Sequence, residues 1–441
     1  MSDRIIIDFD GEEKEPEKKA EKNDQDSNRI LIEFDDTTDE TEMQHHEKNQ
    51  KENQKEDRKE SPEEAFLKTK VNCFYKGNSY LNNSFNSKLK FPEGIDQSFR
   101  KKFSKNLKDE FFNYILQNNR YIILSSRKGN IYLIDRTTGF SERKLSFDDE
   151  SFEKTGLVYE NTIYLNSLSK IFCIKESEDG EIIHKGIYNS PDGYFIWSNL
   201  NRYKNYLVFT EYSISEDRAF IKVLNTESVS PVYDFEFSIK DFISDKLCIA
   251  EGKAYMLFDN KILTYDIDKL SATINDCEVK TDENSFVFYL NYRLYITSGI
   301  NELFYLDLPA VNYNFKTTGI RNSYINSIGG FADNILLGTL DGWKLYKSSG
   351  LQIYYFEDEY ENKIESISKN ILVISQSNKI VFCNLNRFQE AEGYVLSSDG
   401  DPESNEAVEI VSAIIADNEI FVLTKSGILE AYTSDKMNIH I

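Results

Sequence analysis

From Phe111 onward the chain is built of apolar runs three or four residues long, set in pairs across turn residues. Tyr121-Ile-Ile-Leu precedes Gly129 and Ile131-Tyr-Leu-Ile follows it; Ile335-Leu-Leu precedes Asp341-Gly342 and Trp343-Lys-Leu-Tyr follows. Short runs rich in Ile, Val, Tyr and Phe between turn residues read as strands, and each pair as a hairpin. Asp341-Gly342 reads as the two central residues of such a turn, where φ > 0 is needed. Turn residues at Gly129, Ser169, Asp217, Asn260, Asn301, Gly342, Asn378 and Gly427 lie 40, 48, 43, 41, 41, 36 and 49 residues apart. A period near 40 with strands throughout means propeller blades. The pattern predicts an all-β fold: a closed β-propeller of eight four-stranded blades over residues 111–441. Each blade takes an inner strand such as 411–415, a hairpin pair, and an outer strand such as 351–356. A short last strand at 437–441 leaves the ring to be helped shut by residues 71–75 or a segment nearby.

The two segments before the repeats read differently. In residues 65–110, strands are expected within 71–91. Ile95, Phe99, Phe103, Leu107 and Phe111 then recur every four residues, the stripe of an amphipathic helix. Pro92 precedes it, and Asp96 or Ser98 suits its cap. Its polar side carries Arg100, Lys101, Lys102, Lys105 and Lys108, a basic face that is solvated or receives an acidic partner, the chain's own tail included.

Residues 1–64 hold 23 Asp or Glu and 11 Lys or Arg, a net −12 of the whole chain's −23. Such a segment has too little apolar surface to offset chain entropy, and it is expected to be a disordered acidic tail. Two nonamers stand out in it. Ser2-Asp-Arg4-Ile5-Ile-Ile7-Asp-Phe9-Asp10 is echoed by Ser27-Asn-Arg29-Ile30-Leu-Ile32-Glu-Phe34-Asp35. In an extended strand Ile5, Ile7 and Phe9 share one face, as do Ile30, Ile32 and Phe34. The duplicated peptides read as linear motifs that add to a sheet edge, with Arg4 and Arg29 setting register.

Charge and cysteine usage narrow the classes. A pI of about 4.8 argues against nucleic acid and against an anionic membrane surface. Five Cys, at 73, 173, 248, 277 and 383, lack a CxxC pair, and they read as buried free thiols of a reducing compartment. The acidic first residues do not read as a signal peptide or lipobox, and no apolar run approaches the roughly 18 residues of a membrane helix. A cytoplasmic protein is expected.

The repeats resemble those of the pyrroloquinoline-quinone-like propellers. The matching units are Ser126-Arg-Lys-Gly129-Asn-Ile-Tyr132-Leu-Ile-Asp135-Arg-Thr-Thr-Gly139 and Gly338-Thr-Leu-Asp341-Gly342-Trp-Lys-Leu-Tyr346 with Gly350. The resemblance spans about 330 residues, although only two or three units match well. It implies a closed disc. Quinoprotein dehydrogenases of this kind hold their cofactor with a vicinal Cys pair and a stacking Trp. This chain has no adjacent Cys and two Trp, at 197 and 343. The non-enzymatic branch is therefore expected, with no cofactor.

Other chemistry is sparse. His45-His46 lies in the tail, and His184 and His440 are isolated, so no metal or nucleophile site is built on His. No phosphate-binding glycine motif occurs. Acidic clusters at 148–150, 357–359 and 399–401 read as solvated loops. The expected function is a non-catalytic interaction scaffold, a subunit of an intracellular assembly, holding protein partners through the propeller faces and the tail motifs. The alternative is an enzyme or small-ligand binder using the central channel. The apolar blade starts Ile325-Asn-Ser-Ile and Ile364-Glu-Ser-Ile disfavour it, so no small-molecule ligand is expected.

Overall fold

Each predicted hairpin pair forms the middle of an antiparallel sheet in the computed structural model. The structure describes residues 99–434 except 148–149, 161, 177–181, 300, 311, 323, 369–370, 377–378, 388–390 and 397–407. Eight sheets follow one another in a ring, and the fold is a β-propeller. Blade 1 holds Leu116–Gln117, Tyr121–Ser125, Asn130–Asp135 and Ser141–Ser146. Blade 2 spans residues 157–189, blade 3 195–238, blade 4 248–276, blade 5 287–321, blade 6 327–357 and blade 7 363–395. Strands run in chain order from the inner to the outer edge in seven of the eight.

The middle strands are buried on both sides, which is why they read as unbroken apolar runs. Successive side chains point to opposite faces, so one strand packs against two neighbouring blades. In blade 1, Tyr121 and Ile123 pack toward Val158, Ile163 and Phe172 of blade 2. Ile122 and Leu124 pack the other way, toward Ile414, Phe421 and Leu429 of blade 8.

Blade 8 closes the ring, and here the structure corrects a prediction. Its inner three strands are Ile410–Ala416, Glu419–Thr424 and Ile428–Thr433, and its outer strand is Arg100–Asn106. The expected helix is a strand. A spacing of four residues is near one helical turn but also two strand repeats, so the stripe did not discriminate. A register shift between Lys101 and Phe103 aims Phe103 and Leu107 onto the blade 1/blade 8 core. Phe103 seats against Gly139, where an added Cβ would come within 2.6 Å of the ring. Ring closure thus comes from residues 100–106, the segment expected as a helix ahead of the propeller; residues 71–75 and 437–441 lie outside the described residues.

The Asp341-Gly342 reading also shifts by one residue. Thr339 pairs with Gly342, so Leu340 and Asp341 are the central turn residues. Gly342 opens the next strand at φ +128°, with Phe356 O only 1.9 Å from where a Cβ would stand. The described thiols Cys173, Cys248, Cys277 and Cys383 are buried, and none is in a disulfide. Burial pushes the Cys383 thiol up to about 12.

Candidate functional site on the upper face

Strand direction alternates, so two sets of connections share one face: outer strand to next inner strand, and second strand to third. This upper face gathers residues from distant parts of the chain. Phe112, Tyr114, Glu153, Lys154, Thr155, Asn199 and Asp245, from the starts of blades 1 to 4, line a cavity of about 140 Å³.

Local bonds fix these starts. The Tyr114 amide donates to Thr155 Oγ1 at 3.2 Å. Asn199 Oδ1 accepts from the Leu247 amide at 2.9 Å, and the Asn199 amide donates to the Asp245 carbonyl at 3.1 Å. Blades 1 and 2, and blades 3 and 4, are thereby tied at the cavity.

Rings and cations alternate around it. Arg127 and Lys425 lie over Phe112 at 5.2 and 5.0 Å, Lys154 over Trp197 at 5.1 Å, and Lys246 over Phe286 at 5.0 Å. Each such contact contributes about 0.5–1 kcal/mol at an exposed site. Lys154 and Lys246 also reach Asp245, at 3.5 and 3.2 Å. Burial pushes that carboxyl up, but the two ammonium groups outweigh it and hold Asp245 below the ordinary carboxylate range.

Blade 3 departs from its neighbours. Both Phe195–Ile196 and Asn201–Tyr203 pair with Tyr206–Ser213, making five strands where the others have four. Its strands Tyr206–Ser213 and Arg218–Asn225 run eight residues each, and the extra length supports a lip on the upper face. A buried carboxylate anchors the lip. Glu211 Oε1 accepts from Tyr188 Oη at 2.8 Å and Ser190 Oγ at 2.6 Å, and Lys222 Nζ lies 3.6 Å from Oε2. Burial first, then the Glu211 charge, pushes the Tyr188 hydroxyl far above its ordinary range.

The lip presents apolar side chains to solvent: Leu168 is 41% exposed, Phe195 39% and Ile214 65%. The Ile196 amide donates to the Leu168 carbonyl at 2.7 Å, so Leu168 and the extra strand adjoin. Trp197 packs on Tyr212 with ring centroids 5.6 Å apart, and Tyr212 pairs with Phe195. An aromatic strip therefore runs from the cavity, through Lys154 and Trp197, to the lip.

The inner strands are more polar than their sequences suggested. In Ile364-Glu-Ser-Ile the ends face the core, but Glu365 is 1% exposed, and its Oε1 accepts from Ser375 Oγ at 2.7 Å. Glu365 Oε2, Gln117 Oε1, Asn201 Oδ1 and Arg202 Nε and Nη1 are buried with no hydrogen-bond partner among the described residues. Burial pushes the Arg202 guanidinium down to about 10.

The residues singled out from sequence fall elsewhere. Arg4, Ile5, Ile7, Phe9, Arg29, Ile30, Ile32 and Phe34 lie outside the described residues. The basic group sits on the closing strand, where Lys101 pairs with Glu430 at 2.7 Å and Lys102 with Glu419. Glu150 of the first acidic cluster pairs with Lys170 at 2.6 Å. Among the described residues, no three His, Cys, Asp or Glu side chains cluster as a metal site would need. The upper-face strip escaped sequence reasoning, although two signals mark it. The interval from Ser169 to Asp217 is 48 residues rather than about 41, and it contains Tyr194-Phe-Ile-Trp197.

No protein-family profile matches the chain, and no curated protein matches its sequence. Solved structures do resemble it. A quinohemoprotein alcohol dehydrogenase from Pseudomonas putida HK5 superposes with a TM-score of 0.60 at 8% identity, over 84% of this chain and 81% of that one. Sqt1 of Saccharomyces cerevisiae gives 0.55 at 13%, over 75% and 97%. BamB of Moraxella catarrhalis gives 0.52 at 11%, over 76% and 100%. At these identities the likeness concerns the fold alone: the chain is a β-propeller.

Proposed function

We propose that the protein is an interaction scaffold whose upper face, over blades 1 to 4, docks a protein partner. The neighbours include a dehydrogenase, so the fold does not decide the matter and the site must. The observation that carries this reading is the lip. One blade is enlarged by an extra strand, and the enlargement exposes Leu168, Phe195 and Ile214 beside a strip of rings and cations. Aromatic and arginine side chains around an apolar patch have the composition of an interface centre. On this reading the chain performs no chemistry of its own. The tail peptides at residues 2–10 and 27–35 add a second attachment, raising avidity through effective concentration.

The test uses the full chain and a Phe195→Ser/Ile214→Ser variant as baits. A partner retained by the first is identified, purified and titrated against both. Truncating two interface anchors costs about 1–2 kcal/mol each, so affinity falls at least about tenfold. Equal affinity for both chains would refute the upper-face assignment.

A second reading rests on the unpartnered polar atoms of the inner strands. Arg202, Gln117 and Glu365, on the inner strands of blades 3, 1 and 7, each carry a polar atom that a small polar ligand at the ring axis would satisfy. A ligand that raises the melting temperature of the wild type but not of Arg202→Leu would favour it.

A further inference from the structure

In blades 3, 4, 5, 6 and 8 the inner and second strands pair right up to a two-residue turn on the lower face, opposite the lip. The second turn residue is Asn205, Gly252, Asp333 and Asn418 in blades 3, 4, 6 and 8, the small types such turns favour. Blade 5 has Tyr292 there. Both of its turn residues are left-handed, Asn291 at φ 50° and Tyr292 at φ 60°. A bulky side chain is strained in that region. Core packing does not compensate: the side chain is mostly exposed, and neither its ring nor its hydroxyl has a partner among the described residues. Backbone strain that packing does not repay is concentrated at binding sites.

A cavity of about 370 Å³ opens beside the ring, in the seam between blades 5 and 6, and Arg293, Asp307, Asp333 and Ser348 also line it. Bonds across the seam hold its walls. The Asn291 side-chain amide donates to the Ala332 carbonyl, and Arg293 Nη1 donates to the Ser348 carbonyl at 3.2 Å. Arg293 also shows what this seam can hold. Its guanidinium lies 4.4 Å from the centre of the Tyr305 ring, and its Nε donates to Asp307 Oδ1 at 2.8 Å. Lys316 Nζ donates to the other oxygen of Asp307 at 2.9 Å, so that carboxylate is matched. Asp333 is not. Its carboxylate accepts from Ser348 Oγ, and no cation pairs with it among the described residues. Tyr292 and Asp333 therefore offer one cavity the ring and the carboxylate that Arg293 finds in Tyr305 and Asp307, without the cation.

We propose that this lower-face cavity binds a guanidinium group, carried by a peptide arginine or by a small guanidino compound. A planar cation stacks on a tyrosine face and engages a carboxylate through parallel N–H donors. An ammonium group has no such plane and no such fork. The volume falls in the range of small-ligand sites. The net charge of −23 draws cations toward the chain. The site lies on the face opposite the lip and is argued without it, so either reading can fail alone.

The experiment is ligand-observed saturation-transfer NMR on the full chain. The probes are acetyl-Gly-Arg-Gly-amide, its lysine counterpart and free L-arginine, each titrated through the millimolar range. The arginine peptide should bind, and the lysine peptide more weakly. Asp333→Asn should weaken binding by at least about tenfold, because it removes the charged acceptor. Tyr292→Gly should weaken it by about threefold. The Tyr292→Gly chain should also melt higher than wild type, so its lost affinity is not lost folding. Tyr360→Gly, which removes an exposed tyrosine from the upper face, should bind as wild type does. Tighter binding of the peptide than of free arginine assigns the site to a peptide side chain, and equal binding assigns it to a small guanidino compound; both uphold the inference. No binding by either arginine probe, equal affinity for the lysine peptide, or unchanged affinity in both Asp333→Asn and Tyr292→Gly would overturn it.

Discussion

Phe99 is the pin that holds the closing strand, and replacing it with Ala measures what ring closure is worth. It stands just before Arg100–Asn106, and its side chain is 2% exposed. The ring meets Phe382 of blade 7 edge-on, with centroids 4.9 Å apart. Phe382 in turn lies 5.3 Å from Tyr432 of blade 8 and 5.2 Å from Tyr394. Tyr394 Oη donates to the Phe99 carbonyl at 2.8 Å, so side chain and backbone are both held.

The magnitude follows from that environment. Removing a fully buried Phe from a packed core costs about 3–5 kcal/mol, and the lost edge-on ring contact accounts for about 0.5–1.5 kcal/mol of it. In a domain of this size the melting temperature should fall on the order of 5–10 °C. Urea unfolding followed by fluorescence reports the whole ring, because Trp197 and Trp343 lie in blades 3 and 6. Phe103→Ala serves as a graded control: its ring is only half-buried, and the loss should be smaller, about 1–2 kcal/mol. Deleting residues 1–64 should leave the midpoint nearly unchanged. A loss below about 1 kcal/mol for Phe99→Ala would refute the closing role of the strand.

Two further outcomes are expected. Tyr292 holds φ at 60° with 69% of its surface exposed, in a turn where blade 4 has Gly252 and blade 8 has Asn418. Tyr292→Gly should therefore raise stability by about 1 kcal/mol, read as a higher thermal midpoint; a fall would show that the ring's contacts outweigh the strain. The Asp341 carboxylate is held below its ordinary range first by the hydrogen bond from Thr339 Oγ1, with Tyr355 and Lys344 adding to it against the effect of burial. A depressed folded-state value contributes stability above the unfolded value near 4, lost as pH falls through the folded one. Urea midpoints should drop between about pH 4 and 2, less steeply in Asp341→Asn than in wild type; equal slopes would remove Asp341 from the account.

Much of the fold was legible in the chain because a propeller blade is local. Every hairpin joins strands a few residues apart, so the apolar runs and the turns at Gly129, Ser169, Asp217, Asn260, Asn301, Gly342 and Gly427 each describe a complete piece of structure. The both-faces burial of middle strands such as Asn130–Asp135 explains why they read as solid runs. Ring closure was different. Arg100–Asn106 pairs with Ile428–Thr433 from the other end of the chain, as in the Lys101–Glu430 pair 329 residues apart. No local pattern encodes such a partner, and a four-residue spacing satisfies helix and strand alike. The turn at Asp341 shifted for a related reason: the backbone of the outer strand at Phe356 crowds the position and leaves room only for Gly342. The upper-face site is tertiary throughout. Phe112, Lys154, Trp197, Asp245 and Lys425 each sit in an ordinary-looking loop, and only the circular arrangement of blades brings their rings and charges together.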